Sequence, residues 1–455
     1  MTENPGDLFC PLEFRYGRPE VRALFSRELR LRRALRVEAA LAESEAELGI
    51  IPMEAAKAVA TAASGPEVTL AEVDRIEAEL RHDVMAIVRA LAAQSGVGGP
   101  WVHYGATSAD ITDTALALEL QDAVRVLRGG LTEFAQTLID LAHKHRATPE
   151  VGRTHGQYAV PISFGYKMAV AAAEVVRHRR RLDELSPRLC VGKMAGAVGT
   201  GAGFGPKSPE IESAVMRRLG IHADEAPTQI VGRDRIAEFT NWLALLAGTA
   251  ERLSTEVRNL QRSEIAEVQE PFDERRQVGS STMAQKRNPV AAENVTSLAR
   301  LIRAFALPPL ENMAQWHERD LANSANERIV LPHAIVLADD ILHKLNDIYA
   351  GLKIDADRMA ANLSQSGGSV MVENLMLALT ARGVPRSDAH ELLRTMSRDE
   401  KKGASLAARA KADPVLKQRF SSAELDQLLD PTAYVRAAAA KTDRVVDSLR
   451  RELAA

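Results

Sequence analysis

Three observations predict an all-α fold. Helix-forming residues dominate, apolar residues recur at helical spacing over unusually long stretches, and glycine-rich aperiodic segments separate those stretches. Ala, Leu, Arg and Glu are abundant while aromatic residues make up only 4% of the chain, so strand-favouring side chains are scarce. The central long helices are expected to form a bundle that assembles into a multi-subunit helical core.

The first zone, residues 1–111, reads as an N-terminal helical domain. Val21, Leu24, Phe25, Leu29, Leu31, Leu35, Val37 and Leu41 mark a helix over Glu20–Leu48. Gly49 and Pro52 stop the helical pattern and restart it, and a second helix is expected over Leu70–Ala93. The stretch SGVGGPWVHYGATSAD then reads as a loop. The second zone, residues 112–364, carries the long helices: Asp113–His145, Pro161–Leu185, Asp234–Glu267, Pro289–Ala306 and Ser324–Leu352. In the third of these, Ile236, Phe239, Leu243, Leu246, Ala250, Leu253, Val257, Leu260 and Ile265 approximate a coiled-coil seam. Three breaks interrupt the zone: GRTHGQ (152–157), KMAGAVGTGAGFG (193–205) and QVGSSTMAQKRNP (277–289). Such loops between regular helices tend to carry function. A third helical zone, residues 365–455, is punctuated by Pro385, Pro414 and Pro431.

The chain balances 58 basic against 61 acidic residues, a net charge of -3 that offers no footprint for nucleic acid or an anionic membrane. The basic run Arg177–Arg181 reads as a solvated helix face. Cys10 and Cys190 form neither a disulfide framework nor a zinc spacing, which points to a reducing compartment. The N-terminus lacks a signal-peptide pattern and no run of apolar residues is long enough to span a bilayer, so a cytoplasmic protein is expected. No compact set of metal ligands and no glycine-rich phosphate loop after a strand is present, so neither a metal nor a cofactor is expected.

The most informative segment runs from Gly279 to Pro289. Two adjacent serines, Ser280 and Ser281, stand in a Gly-led loop that also holds Lys286, Arg287 and Asn288, with Pro289 placed to open a helix. Backbone amides at such a loop and helix start can stabilise negative charge, as can Lys286 and Asn288. A serine in that field can serve as a base. The plain alternative is a surface loop whose Ser and Asn only build turns.

The segment resembles the signature loop of the fumarase/aspartase superfamily, Ser-Ser-x-Met-Pro-x-Lys-x-Asn-Pro followed by Glu. Ser280, Ser281, Met283, Lys286, Asn288, Pro289 and Glu293 match, and Ala284 stands where proline is usual. Further segments match in order over nearly the whole chain and are most similar to the adenylosuccinate lyase family. WVHYGATSAD implies His103, Thr107 and Ser108; LRHDVMA implies His82 and Asp83; GRTHGQ implies Thr154 and His155; TQIVGRD implies Gln229. QWHERDLANSANER implies Arg319, Ser324 and Arg328, and FRYG implies Arg15 and Tyr16. Arg319 and Arg328 lie nine apart, so they converge only if a helix starts between them, capped at Asn323 or Ser324.

The resemblance implies elimination of fumarate from a succinylated nucleotide, adenylosuccinate giving AMP, with the imidazole-carboxamide analogue of purine biosynthesis as a second substrate. Ser281 is then the base, with Ser280 the fallback, and His155 is the acid oriented by Glu293. Lys286, Asn288 and the loop amides hold the developing charge. Thr107, Ser108 and Gln229 hold carboxylates. Arg15, Tyr16, Arg319, Ser324 and Arg328 hold phosphate, while His82, Asp83, His103, Thr154 and Met283 complete the substrate contacts. A homotetramer with sites shared between subunits is implied as well. Tyr158, Val160 and Ala195 depart from the usual pattern, as does Ala284, which leaves room for another succinyl-amine substrate. Two alternatives stand beside this reading: a 3-carboxy-muconate cycloisomerase, and a catalytically silent structural homologue.

Overall fold

The computed structural model describes residues 9–398 and 404–454. Nineteen α-helices, four short 3-10 helices and three two-stranded pairings account for the regular backbone of the described residues, so the fold is all-α. No helix among the described residues is long and apolar enough to cross a membrane.

Two compact units interleave along the chain. One comprises the segments up to Leu131, His178–Glu251 and Val295–His343; the other comprises Thr132–Arg177, Arg252–Asn294 and the chain from Lys344 on. The helices Ser108–Lys144, Phe164–Leu189, Asp234–Leu260, Val290–Ala304 and Ser324–Ala350 each give residues to both. In the first unit, Leu35, Val59, Ile76 and Leu91 centre one apolar cluster, and Leu41, Ile111, Ile211 and Val215 centre another. In the second unit, Leu375, Leu379, Leu393, Leu406 and Leu416 form a core among the later helices. Val151, Leu363 and Met371 form a smaller cluster beneath a β-hairpin.

Five elements differ from the sequence expectation. One is the helix expected over Asp234–Glu267, which ends at Leu260 before a turn in which Ala266 takes φ 53°, so Ile265 lies outside it. The stretch Glu20–Leu48 is broken: Pro19–Ala23 ends, and Arg27–Glu47 begins behind Ser26, whose Oγ accepts from the Leu29 N–H at 3.2 Å. Leu70–Ala93 is two helices, Leu70–Leu80 and Asp83–Gln94. Arg81 stops the first in the left-handed region (φ 53°), and the His82 ring caps the second by accepting the Met85 N–H at 3.3 Å. The helix expected from Asp113 already starts at Ser108, because the Thr107 N–H donates to Asp110 Oδ2 at 2.8 Å.

The break at GRTHGQ is a hairpin, Pro149–Thr154 paired with Gln157–Ser163. Gly152 makes its bulge, since a Cβ there would lie 2.6 Å from the Val160 carbonyl oxygen. Pro161 therefore belongs to a strand, and the helix starts at Phe164 behind Ser163, whose Oγ accepts from the Tyr166 N–H at 3.2 Å.

Candidate active site

In the second unit, the loop from Pro271 to Pro289 is tied at both ends by one side chain. Gln261 Oε1 accepts the Glu270 N–H at 2.9 Å, and Gln261 Nε2 donates to the Arg287 carbonyl at 3.2 Å. Within the loop, Asn288 Nδ2 donates to the Gly279 carbonyl at 3.0 Å. Gly279 lies so close to the Lys286 backbone that an added Cβ would sit 2.1 Å from its carbonyl oxygen, so only glycine fits. Arg287 covers the Phe272 ring with its guanidinium carbon 4.3 Å from the centroid.

These ties separate the two serines. Ser280 Oγ accepts from the N–H groups of Thr282 and Met283, at 3.3 and 3.1 Å, in a local turn. Ser281 is exposed, and its Oγ lies 3.4 Å from Thr282 Oγ1. Met283, Lys286 and Glu293 are exposed as well.

Four of the loop and helix-start amides have partners within the chain. The Ala291 and Ala292 N–H groups, at the start of Val290–Ala304, donate to the buried Glu270 carboxylate at 3.1 Å each. Burial raises the Glu270 pKa, and these amide bonds oppose the rise. A protein carboxylate thus already occupies the helix start, and Ser280 occupies two loop amides.

His155 sits at the tip of the hairpin. His155 and Gly156 both have positive φ, 54° and 74°, as a two-residue loop of the primed turn family needs. A non-glycine residue held there stores about 1–3 kcal/mol of backbone strain, repaid by the surrounding structure. The strand beside it is anchored by Arg153, which donates two hydrogen bonds to Glu267 at 2.8 and 2.7 Å; Asn362 Nδ2 adds a third at 2.8 Å. Arg153 also faces the ring of its cross-strand partner Tyr158, 5.6 Å from the centroid. Tyr158, which departs from the family pattern, thereby helps hold the tip. Thr154 and His155 are exposed. Among the described residues, no hydrogen bond or ion pair links His155 to Ser281, Lys286 or Glu293.

In the first unit the predicted substrate contacts fall into linked groups. Arg15 stacks toward Tyr16, its guanidinium carbon 5.9 Å from the ring centroid, and Arg18 pins the segment through two bonds to buried Asp339 at 2.8 and 2.6 Å. Asp83 accepts from Arg328 Nη2 at 2.7 Å, which brings the His82–Asp83 pair together with a predicted phosphate ligand. The expected helix start between Arg319 and Arg328 is present at Ser324, and Arg319 Nη1 donates to Asn323 Oδ1 at 2.8 Å. Burial foremost, and the Arg233 charge next, lower the Arg319 pKa. Gln229 donates its Nε2 hydrogen to the Ala197 carbonyl at 3.0 Å.

Thr107 and Ser108 stand at the start of their long helix, and Asp110 locks that start. Its buried carboxylate accepts from the Thr107 amide, from the Ala195 and Gly196 amides at 2.9 and 3.1 Å, and from Lys193 Nζ. The 193–205 loop is thus fastened to the helix bearing Thr107 and Ser108. Asp110 was legible as the last residue of a Thr-x-x-Asp capping box. Lys193, Glu270, Gln261 and Arg153 carried no such local signal.

His103 has φ 63°, and its Nδ1–H donates to Glu38 Oε1 at 2.7 Å. Burial disfavours its charged form, but the Glu38 hydrogen bond and the Glu38 and Asp110 charges outweigh burial, so the pKa is raised. The pair's contribution to stability is full below the unfolded histidine pKa of about 6.5 and is lost as pH rises through the higher folded value. Glu38→Gln is expected to move His103 deprotonation to lower pH, read from imidazole chemical shifts; an unchanged midpoint would refute the dyad.

A family model described as Lyase matches residues 13–303, and one described as Adenylosuccinate lyase C-terminus matches residues 368–445. The chain is 43% identical to the adenylosuccinate lyase of Methanothermobacter thermautotrophicus, over 97% of this chain and 99% of that protein. It is 46% identical to that of Pyrococcus abyssi, over 85% and 86%. Among solved structures it is similar to fumarate lyase from a Mesorhizobium species, with TM-score 0.87, 31% identity and coverage of 95% and 98%. It is also similar to 3-carboxy-cis,cis-muconate lactonizing enzyme from Pseudomonas putida, with TM-score 0.86, 34% identity and coverage of 97% and 99%. With matches of this extent running through every segment that carries a predicted site residue, the chain belongs to the adenylosuccinate lyase family of the fumarase/aspartase superfamily.

Proposed function

We propose that the chain cleaves adenylosuccinate to AMP and fumarate by β-elimination. The observation that carries this reading is the end-to-end likeness to adenylosuccinate lyases together with the complete set Ser281, Lys286, Asn288 and His155. The Ser281 alkoxide removes a proton from the succinyl methylene. The electron pair delocalises into the adjacent carboxylate, and Lys286 faces the charge that develops there. The C–N bond then breaks with its electrons going to nitrogen, which takes a proton from the His155 imidazolium. Asn288 acts through the Gly279 carbonyl, holding the loop that presents Ser281. Thr107, Ser108 and Gln229 receive carboxylates, with Ser280 and Met283 shaping the loop beside them. Arg15, Tyr16, Arg319, Ser324 and Arg328 receive the phosphate, and His82, Asp83, His103 and Thr154 complete the site.

We place this reaction in the cytoplasm, in purine biosynthesis, and assign it to a homotetramer whose sites combine several subunits, with Glu293 of one chain orienting His155 of another. Exposed apolar side chains on the long helices support the assembly: Val170, Leu245, Leu301 and Ile329 are 46–58% exposed in the single chain. A division into domains 1–111, 112–364 and 365–455 is proposed too, supported by the separate core at Leu375–Leu425.

A substrate panel, each compound followed for its own product, tests the reading: fumarate absorbance for adenylosuccinate, its imidazole-carboxamide analogue, argininosuccinate and aspartate, and loss of the diene for carboxymuconate. Turnover of adenylosuccinate is expected. Turnover of carboxymuconate alone would favour the cycloisomerase reading, which rests on the 34% identity to the Pseudomonas putida enzyme. Ligand-induced stabilisation without turnover of any compound would favour a silent homologue. Sedimentation at micromolar concentration is expected to give a tetramer, and a stable monomer would remove the shared site.

A further inference from the structure

We propose that Arg233 is a positioning residue that aligns the substrate-holding side chains of three separate chain segments. Its guanidinium is buried and held by four hydrogen bonds. Nη1 and Nη2 donate to the two oxygens of Asp113 at 2.8 and 3.0 Å, Nε donates to Glu327 Oε1 at 3.0 Å, and Nη1 also reaches the Val231 carbonyl at 3.0 Å. Asp113 and Glu327 are themselves buried. A planar fork of five donors can satisfy two carboxylates at once, and a lysine ammonium cannot reproduce that geometry.

Each partner sits beside residues assigned to the substrate. Asp113 is on the helix that begins at Ser108, after Thr107. Glu327 stands between Ser324 and Arg328 on the next segment. Arg233 itself follows Gln229 by four residues, and the Asp113 carboxylate also accepts the Val231 N–H at 2.8 Å. The Gln229 N–H donates to the Glu318 carbonyl at 3.2 Å, which ties the Gln229 segment to the one carrying Arg319.

The proposed base and acid, Ser281 and His155, lie on segments that Arg233 does not touch. The inference rests on the adenylosuccinate reading, and its effect is therefore expected on ligand binding more than on the chemical step. Arg233→Lys keeps the charge and loses the fork. In the folded variant, KM for adenylosuccinate and Kd for AMP are expected to rise about tenfold or more, while kcat changes less than about threefold. A folded variant with normal KM and Kd, altered only in its melting temperature, overturns the proposal and leaves Arg233 a purely structural residue. If Arg233→Lys does not fold, Glu327→Gln keeps the acceptor oxygen and carries the same test, with a rise of about threefold expected in both constants; unchanged constants there overturn it equally. A wild-type protein inert toward adenylosuccinate overturns the functional reading itself, and shows this before any variant is compared.

Discussion

Ser281→Ala is expected to lower kcat by about 10³-fold, within the range that a positioned base contributes. The structure supplies the control. Ser280 Oγ is committed to the Thr282 and Met283 amides, so Ser280→Ala removes turn bonds rather than a base. Its loss is expected to be roughly tenfold or less, the scale of one or two neutral hydrogen bonds. Two measurements check the assignment: fumarate release, and exchange of the succinyl methylene proton with solvent deuterium followed by NMR. Ser281→Ala is expected to lose both. Retained exchange in that variant would move the base elsewhere, with Ser280 the first place to look.

His155→Gln is expected to lower kcat by about 10²–10³-fold for a different reason. The imidazolium donates to the departing nitrogen, so proton removal from carbon does not require it. Methylene exchange is therefore expected to continue in this variant while fumarate release falls. A variant that loses exchange and release in parallel would show that His155 serves the carbon side instead. Because the hairpin places residue 155 at positive φ, with Gly156 next to it, the glutamine must adopt the same strained turn. A melting temperature near that of the wild type, measured alongside, separates a lost proton donor from a lost hairpin.

The two experiments bear on one another through assembly. Among the described residues no bond joins the 155 tip to the 281 loop within one chain. If two subunits supply the acid and the base, then mixing Ser281→Ala and His155→Gln chains and reassembling them is expected to restore part of the activity, because some sites then receive both intact groups.

The sequence by itself determined the fold class and the identity of the signature loop. Long helical periodicity with few aromatic residues pointed to an α-helical architecture, and the resemblance of a contiguous motif to the family's signature loop needs no tertiary information to be read. It also placed the helix start between Arg319 and Arg328, where Asn and Ser favour a cap. Local detail was less legible where backbone conformation, rather than side-chain pattern, decided it. Arg81 in the left-handed region divides a stretch whose apolar spacing runs on, and the hairpin behind His155 is too short for its alternation to stand out from the glycines around it.

Only the tertiary structure decided what holds the candidate site in place. Arg233 meets Asp113 across 120 positions and Glu327 across 94. Arg153 meets Glu267 across 114. Glu270 takes the helix-start amides that the sequence had offered to the substrate. Buried charges must find partners or forfeit several kcal/mol each, and which partners they find depends on how distant segments pack. That pairing has no periodicity and no fixed spacing, so it becomes visible only when the chain is folded.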